Sequence, residues 1–432
     1  MTLNRKFSRT AKAFLARTVR SPTRRGTKVS VAAGSAVVLV GLALALSLNA
    51  HAAPAPTMLY GTLDTQPSTA ATEAAHGLGM AMFEFDWASY EPKQGTFTTS
   101  YMTSQLSSLH AYQAAGMKVT LGLGIEDPPS WVRSLADGTY IDQKGTVAPG
   151  ADLVFSAAVR AAAATYIAKI AASMPLTDFW AIRLNAGDGD GEMLYPGSGT
   201  YYAFNPSALT GTGLPAGMTP NPDPKWKPGT AGLTPAQITT WITWYIGGLD
   251  NVTNWEMQTL AGLGFAGYYQ TVTPGSGTRP DQLTYDEQNN LPNDGTTGVG
   301  AVWQLYYANL TNKIKVMAYV SSVADQSGGN DTCLPSDTSQ SLTSAALDSW
   351  SATRWITRIA DQYGMPVGGE NPGLNLPASL DTFYTNTTST GMMATALAQA
   401  RSCDFTVYYW AHDVHLWDGT IPFTTYATMI SQ

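Results

Sequence analysis

Eight times between Met58 and Asp413 a short apolar run gives way to a turn and then to a helix-forming stretch, and this alternation leaves the chain few folds. The runs are MLYGTLDT, MAMFEFDW, KVTLGLGI, DFWAIRLN, FAGYYQTVT, IKVMAYVSSV, PVGGE and DFTVYYWAHD. Helical stretches over Ser68 to His76, Ser100 to Ala115, Ala151 to Ser173, Pro235 to Leu263, Gly300 to Thr311, Ser349 to Tyr363 and Pro377 to Arg401 separate them. Near-continuous apolar strands joined by helices mean a parallel sheet covered on both faces, and eight units without reversal predict an α/β fold, a (β/α)8 TIM barrel. A doubly wound sheet is the other arrangement that the pattern permits. The barrel is expected to be a single domain over residues 53–432, with long Gly/Pro-rich loops after strands four and five.

Residues 1–52 read as a secretory signal peptide. A basic segment with nine Lys/Arg and no acid in its first 28 residues precedes the apolar run Val29 to Leu48, and Ala50-His51-Ala52 is a small-x-small cleavage pattern. The same run approaches the ~20 residues that span a bilayer, so membrane contact is expected only if the segment is retained as an anchor. Without the leader, 24 − 9 = 15 Lys/Arg face 31 Asp/Glu, a net charge of −16. Such a surface repels polyanions and argues against nucleic-acid binding, whereas a neutral oligosaccharide or polysaccharide suits it. The two cysteines of an exported chain, Cys333 and Cys403, would close a long loop if paired. In the eight-unit layout, however, Cys403 begins a strand and Cys333 lies beyond the end of another, a placement at opposite ends of the barrel that would leave them too far apart to bond.

In a parallel barrel the active face lies at the C-terminal ends of the strands. Acids collect there: Asp64, Asp86, Glu126, Asp127, Asp188, Asp190, Glu192, Asp325, Glu370 and Asp413, with Gln270 among them. Glu192, in AIRLNAGDGDGEMLYP, and Glu370, in PVGGENPG, both follow apolar strands through glycines. Two such carboxyls facing each other are what acid/base hydrolysis of a glycosidic bond requires, with Glu192 as general acid/base and Glu370 as nucleophile. Aromatic and polar neighbours expected to bind substrate are Asp64, Trp87, Glu126, Trp131, Tyr195, Gln270, Trp410, His412 and Asp413, with Trp410 as an apolar floor for a sugar ring. Trp226, Tyr268 and Tyr269 are further aromatic candidates for lining the cleft. Burial beside Tyr195 would keep Glu192 protonated.

DGDGE does not fit a calcium loop, because Met193 falls where that loop needs glycine and Gly199 where it needs glutamate. A metal at Asp188, Asp190 and Glu192 would need another geometry. The histidines are too scattered for a zinc cluster or a nucleophilic triad, and no cofactor or metal is implied.

FEFDWASYEPKQGTF followed by GMKVTLGLGIEDPPSWV resembles the strand-two and strand-three region of clan A barrel glycoside hydrolases, particularly family 42 β-galactosidases. In that clan an acid/base glutamate follows strand four and a nucleophile ends strand seven, which the resemblance places at Glu192 and Glu370, with Trp410 as the strand-eight tryptophan. The chain departs from the clan at Gly191, where asparagine is usual, and GDGDGEMLYP is similar to the GPAGELRYP segment of the inverting β-amylases. The resemblance implies a secreted hydrolase of O-glycosidic bonds, retaining if it follows the clan and inverting if it follows the amylases. A barrel that binds carbohydrate without cleaving it is the alternative that Gly191 raises.

Overall fold

The computed structural model describes residues 58–432 apart from 188–190, 198, 294 and 375–377. The leader and its expected cleavage point lie outside the described residues. Eight parallel strands close on themselves in sequence order: β1 (Leu59–Thr62), β2 (Met80–Glu84), β3 (Lys118–Gly122), β4 (Ala181–Leu184), β5 (Tyr268–Thr273), β6 (Val316–Val320), β7 (Val367–Glu370) and β8 (Val407–Trp410). Each pairs with the next, and Leu59 to Thr62 pair with Val407 to Trp410 to shut the ring. The closed ring excludes the doubly wound sheet.

Strand alternation sorts the side chains. Met80, Met82, Val272, Met317, Tyr319, Val407 and Tyr409 form the core inside the barrel. Their neighbours on the same strands, among them Ala81, Phe83, Leu121, Ile182, Val316, Ala318, Tyr408 and Trp410, join the larger core between sheet and helices. With both faces buried, the strands read as continuous apolar runs. Continuing the inward set toward the strand ends brings Glu84, Arg183 and Glu370 to the mouth. Gly122 makes room there: a Cβ on it would stand 2.6 Å from Glu84 Cγ.

The helices follow the expected plan with local departures. Pro235–Gly262 starts with Pro235 at its first turn and a reciprocal Thr234–Gln237 capping box. Ala157–Ser173 begins six residues later than Ala151, where Ser156 accepts from the Val159 N–H. The stretch expected as one helix from Pro377 to Arg401 is two, Ala378–Thr385 and Met392–Ser402. Between them the Asn386 carboxamide oxygen accepts from the Thr388 N–H at 2.9 Å, the local bond by which an asparagine diverts backbone from helix into a turn. The long loops carry short helices of their own, Pro206–Thr210 after β4 and Pro280–Gln288 after β5, and a last helix, Phe423–Ile430, follows β8. Among the described residues no helix is long and apolar enough to cross a membrane.

Cys333 and Cys403 form a disulfide with Cα atoms 5.1 Å apart. The layout that separates them fails because the connection after β6 folds back over the barrel's flank. The Arg354 guanidinium holds Asp331 and Asp337 of that connection, each at 2.6 Å, and the Cys333 N–H donates to Ser402 Oγ. The bridge closes a separation of 70 residues, and loop-closure entropy assigns such a link about 4 kcal/mol. Replacing both cysteines by serine should therefore lower the unfolding free energy by about that amount in urea titration of the reduced-insensitive variant against the oxidised protein.

Candidate active site

Glu370 ends β7 and points into the mouth. Arg183 Nη2, from β4, and the Tyr319 hydroxyl, from β6, both donate to its Oε2 at 2.6 Å. The guanidinium also donates to the Tyr319 oxygen at 2.5 Å and lies 4.4 Å from the Tyr319 ring centroid. Three strands thus converge on one carboxylate oxygen. Burial by itself opposes the Arg183 charge, but Glu370, Tyr319 and Glu84 outweigh it and hold the guanidinium protonated. Burial also pushes the Tyr319 phenol up, so its proton stays available to Glu370. Among the described residues no hydrogen bond falls on Glu370 Oε1, which leaves that oxygen's lone pairs for another partner. Asn371 fixes the following turn, its Oδ1 accepting from the Tyr408 hydroxyl at 3.1 Å and the Ala411 N–H at 2.9 Å.

Glu192 arrives on the loop after β4. Asp188, Gly189 and Asp190 lie outside the described residues, so the metal reading that needs them has no described geometry; among the described residues no cluster of acids, histidines or cysteines is placed to hold a metal ion. Gly191 has φ +73°, a left-handed backbone that glycine adopts without strain. Two residues on, the chain is tied to the sheet, the Met193 N–H donating to the Val272 carbonyl of β5 at 2.9 Å. Between these points the Glu192 side chain reaches β6's end, where Ser321 Oγ donates to Oε1 at 2.7 Å.

A second pair of acids borders the same mouth. Glu126, just past β3, accepts from Asn185 Nδ2 at 2.7 Å and lies against the Glu192 loop: a Cβ on Gly191 would stand 3.5 Å from its Oε1. Burial, followed by repulsion from Glu84, pushes the Glu126 carboxyl to about 8. Glu84, at the end of β2, is open to solvent from the mouth and walled by protein elsewhere. Desolvation by those walls raises it to about 6, opposed by Arg183 and assisted by Asp64 and Glu370. Farther round, Asp413 Oδ1 accepts the Asp64 N–H at 3.1 Å, and burial followed by repulsion from Asp64 and Glu73 takes Asp413 to about 8. His412, at φ +57°, is half-buried beside it.

The expected aromatic lining is placed differently. Trp87 is fully buried in the outer layer, stacked on Tyr166, with its indole N–H on Glu91 Oε2 at 3.0 Å. Tyr195 is buried between Phe155 and Tyr245 and donates to the Tyr245 carbonyl, so it belongs to the outer core and sets no environment for Glu192. Trp410 follows the inward-facing Tyr409 and so points outward, fully buried beside Tyr384 and Tyr426 rather than forming an open floor. Trp131 is half-buried and donates to the Glu91 carbonyl. Trp226 and Tyr269 are buried in the same outer core, and Tyr268 sits at the opposite end of β5 from the mouth. Gln270 does face inward, paired in register with Arg183, but is fully buried below the opening beside Tyr409. The residues that sequence reasoning passed over are Glu84, Arg183, Asn185, Tyr319 and Ser321. Alternation within AIRLN, MAMFE and VMAYVS carries the signal for all five, once Glu370 is taken as inward-facing.

No protein-family model matches the chain, and no curated protein matches it. Among solved structures it is similar to the β-galactosidase of the psychrophilic Marinomonas ef1, with 13% identity over 82% of this chain and 54% of that one and a TM-score of 0.49. A GH5-4 broad-specificity endoglucanase from an uncultured bacterium gives 14% identity, 86% and 84% coverage and a TM-score of 0.46. The polyextremophilic β-galactosidase of the Antarctic haloarchaeon Halorubrum lacusprofundi gives 11%, 87%, 58% and 0.48. The chain thus spans little more than half the length of the two β-galactosidases. Similarity at this level assigns no activity; the barrel itself is seen directly in the pairing of the eight strands.

Raised carboxyls make stability pH-dependent with a definite sign. A group such as Glu126, moved from the ordinary value of 4.5 to about 8, favours the fold fully below about 4.5 and loses that contribution as the pH rises through 8. The wild type should therefore lose thermal stability between pH 5 and 9. Glu126→Gln, which cannot ionise, should lose measurably less over the same range in parallel melting curves.

Proposed function

We propose that this chain is a glycoside hydrolase in which Glu370 is the nucleophile and Glu192 the general acid/base. The observation that carries the reading is the state of Glu370: a carboxylate at the mouth of a parallel barrel, with one oxygen locked by a guanidinium and a phenol and the other, among the described residues, without a hydrogen bond. By contrast, the Arg354–Asp337 pair engages both carboxylate oxygens of its aspartate. Glu192, hydrogen-bonded to Ser321 on the strand next to β7, supplies the second carboxyl that such a reaction needs.

In the first step Glu370 Oε1 attacks the anomeric carbon while Glu192 gives its proton to the departing glycosidic oxygen. The carbon–oxygen bond to the leaving group breaks as the glycosyl ester forms. In the second step Glu192, now a carboxylate, takes a proton from water, whose oxygen attacks the anomeric carbon and returns Glu370 to its carboxylate. Arg183 and Tyr319 hold Glu370 in line throughout. Glu84, raised only to about 6 and so ionised at neutral pH, disfavours uronic acids and other anionic sugars at the mouth, which suits neutral glycosides. The leader and the Cys333–Cys403 bridge support an exported enzyme, since disulfides persist in oxidising compartments. N-terminal sequencing of the exported protein should begin at Ala53.

The test is hydrolysis of a panel of neutral aryl glycosides and oligosaccharides by wild type, Glu192→Gln and Glu370→Gln. Turnover by the wild type should fall about 10²- to 10⁴-fold in each variant. NMR of the first-formed anomer should show retention; inversion would make Glu370 the base that activates water, as in the β-amylase pattern. Sugar binding without turnover on any substrate would overturn the enzymatic reading in favour of a binding barrel.

A further inference from the structure

Resting on that reading, we propose that Ser321 is a positioning residue for the acid/base: its hydroxyl selects which oxygen of Glu192 carries the transferred proton. Ser321 Oγ donates to Glu192 Oε1 at 2.7 Å. An oxygen that accepts this bond is the carbonyl-like oxygen of the protonated acid, so the proton resides on Oε2. After the proton leaves, the same O–H bonds the new carboxylate and stabilises it, and it remains in place while Glu192 accepts a proton from water. No bond to Ser321 is made or broken in either step.

The placement follows from the strand. Tyr319 lies on β6 and Ser321 begins the turn that leaves it, and both hydroxyls reach the mouth, as their bonds to Glu370 and Glu192 show. Ser321 continues the ladder beyond β6, its N–H donating to the Thr273 carbonyl of β5. On the other side the Val323 N–H donates to the Glu370 carbonyl. The segment that bears Ser321 is thereby tied both to β5 and to the residue that bears the nucleophile. β6 and the turn that leaves it then present two hydroxyl donors, Tyr319 to Glu370 Oε2 at 2.6 Å and Ser321 to Glu192 Oε1 at 2.7 Å, and hold the two carboxyls against a common template. Glu192 needs such a contact because it reaches the mouth on a glycine-rich loop, whereas Glu370 stands on a strand. The charged groups facing this corner are Arg183 and Glu370 from the barrel wall and Glu126 beside Gly191.

Ser321→Ala removes the donor with little change in volume, and Ser321→Thr keeps a hydroxyl. For a substrate with a poor leaving group, Ser321→Ala should lower kcat about 10- to 100-fold with KM little changed. The loss should shrink for a dinitrophenyl glycoside, whose leaving group departs without a proton. Losing a donor to the charged form should also move the alkaline limb of kcat/KM upward in pH, and Ser321→Thr should restore both behaviours. Equal losses on good and poor leaving groups, or an unmoved alkaline limb, would overturn the assignment.

A second arm needs no substrate. In protein labelled at the glutamate side-chain carboxyl carbon, the resonance that disappears in Glu192→Gln should titrate at higher pH in Ser321→Ala than in wild type. An unchanged midpoint overturns the Ser321 proposal even if hydrolysis is found. A shifted midpoint with no hydrolysis by the wild type supports the Ser321 contact while overturning the function on which its catalytic meaning rests.

Discussion

The bond from Arg183 to Glu370 is the constraint around which the mouth of this barrel is arranged. Both groups are largely removed from water, and an unpaired charge at either position would cost several kcal/mol. Each therefore requires the other, and Tyr319 completes the triangle by donating to the carboxylate while accepting from the guanidinium. The three residues come from β4, β6 and β7, so the arrangement exists only when those strands are in register. In exchange, the barrel gains a carboxylate whose orientation is set from two sides.

Among the described residues no cation pairs with Glu84, Glu126 or Asp413 as Arg183 does with Glu370. Burial and mutual repulsion raise Glu84, Glu126 and Asp413, so this end of the barrel holds carboxyl groups that exchange protons in the neutral range. In the proposed reaction that division is useful. One carboxyl must stay ionised to attack and another must carry a proton, and the only guanidinium with a hydrogen bond to any of these groups among the described residues sits on Glu370. The asymmetry between the two central glutamates is also mechanical. Glu370 stands on a strand braced by Arg183 and Tyr319, while Glu192 hangs from a loop and finds Ser321 at the rim. A glycine-rich loop delivers a side chain to the centre of a mouth that no strand can reach, and it needs a contact there to define its aim.

Which residues face that mouth was legible in part. Glu192 and Glu370 stood out because each follows an apolar strand through glycines, and that local grammar does not depend on the rest of the molecule. Arg183, Tyr319 and Ser321 did not, because an arginine, a tyrosine and a serine inside apolar runs look like ordinary strand residues until the inward parity is known. The aromatic residues went the other way. Trp87, Tyr195 and Trp410 lie within three residues of acids in the sequence and looked like a sugar-binding surface. Trp410 is one position out of phase with the inward-facing Tyr409 and so packs behind the sheet, while Trp87 and Tyr195, which lie beyond their strands, are buried in the same outer core.

The sequence by itself determined eight βα units, since periodic apolar runs, helix caps and turn glycines are local properties, and it pointed to a barrel; the pairing of the first strand with the last is what excluded the doubly wound sheet. It also determined that acids gather at the strands' C-terminal ends. Only the tertiary structure decided which oxygens are held and by what, because the Arg183–Glu370 and Ser321–Glu192 contacts join residues 187 and 129 positions apart. It likewise decided that Cys333 meets Cys403, through a loop whose path depends on Arg354 and its two aspartates rather than on strand order. Contacts of that range depend on strand register and loop packing, and neither is written in the spacing of residues along the chain.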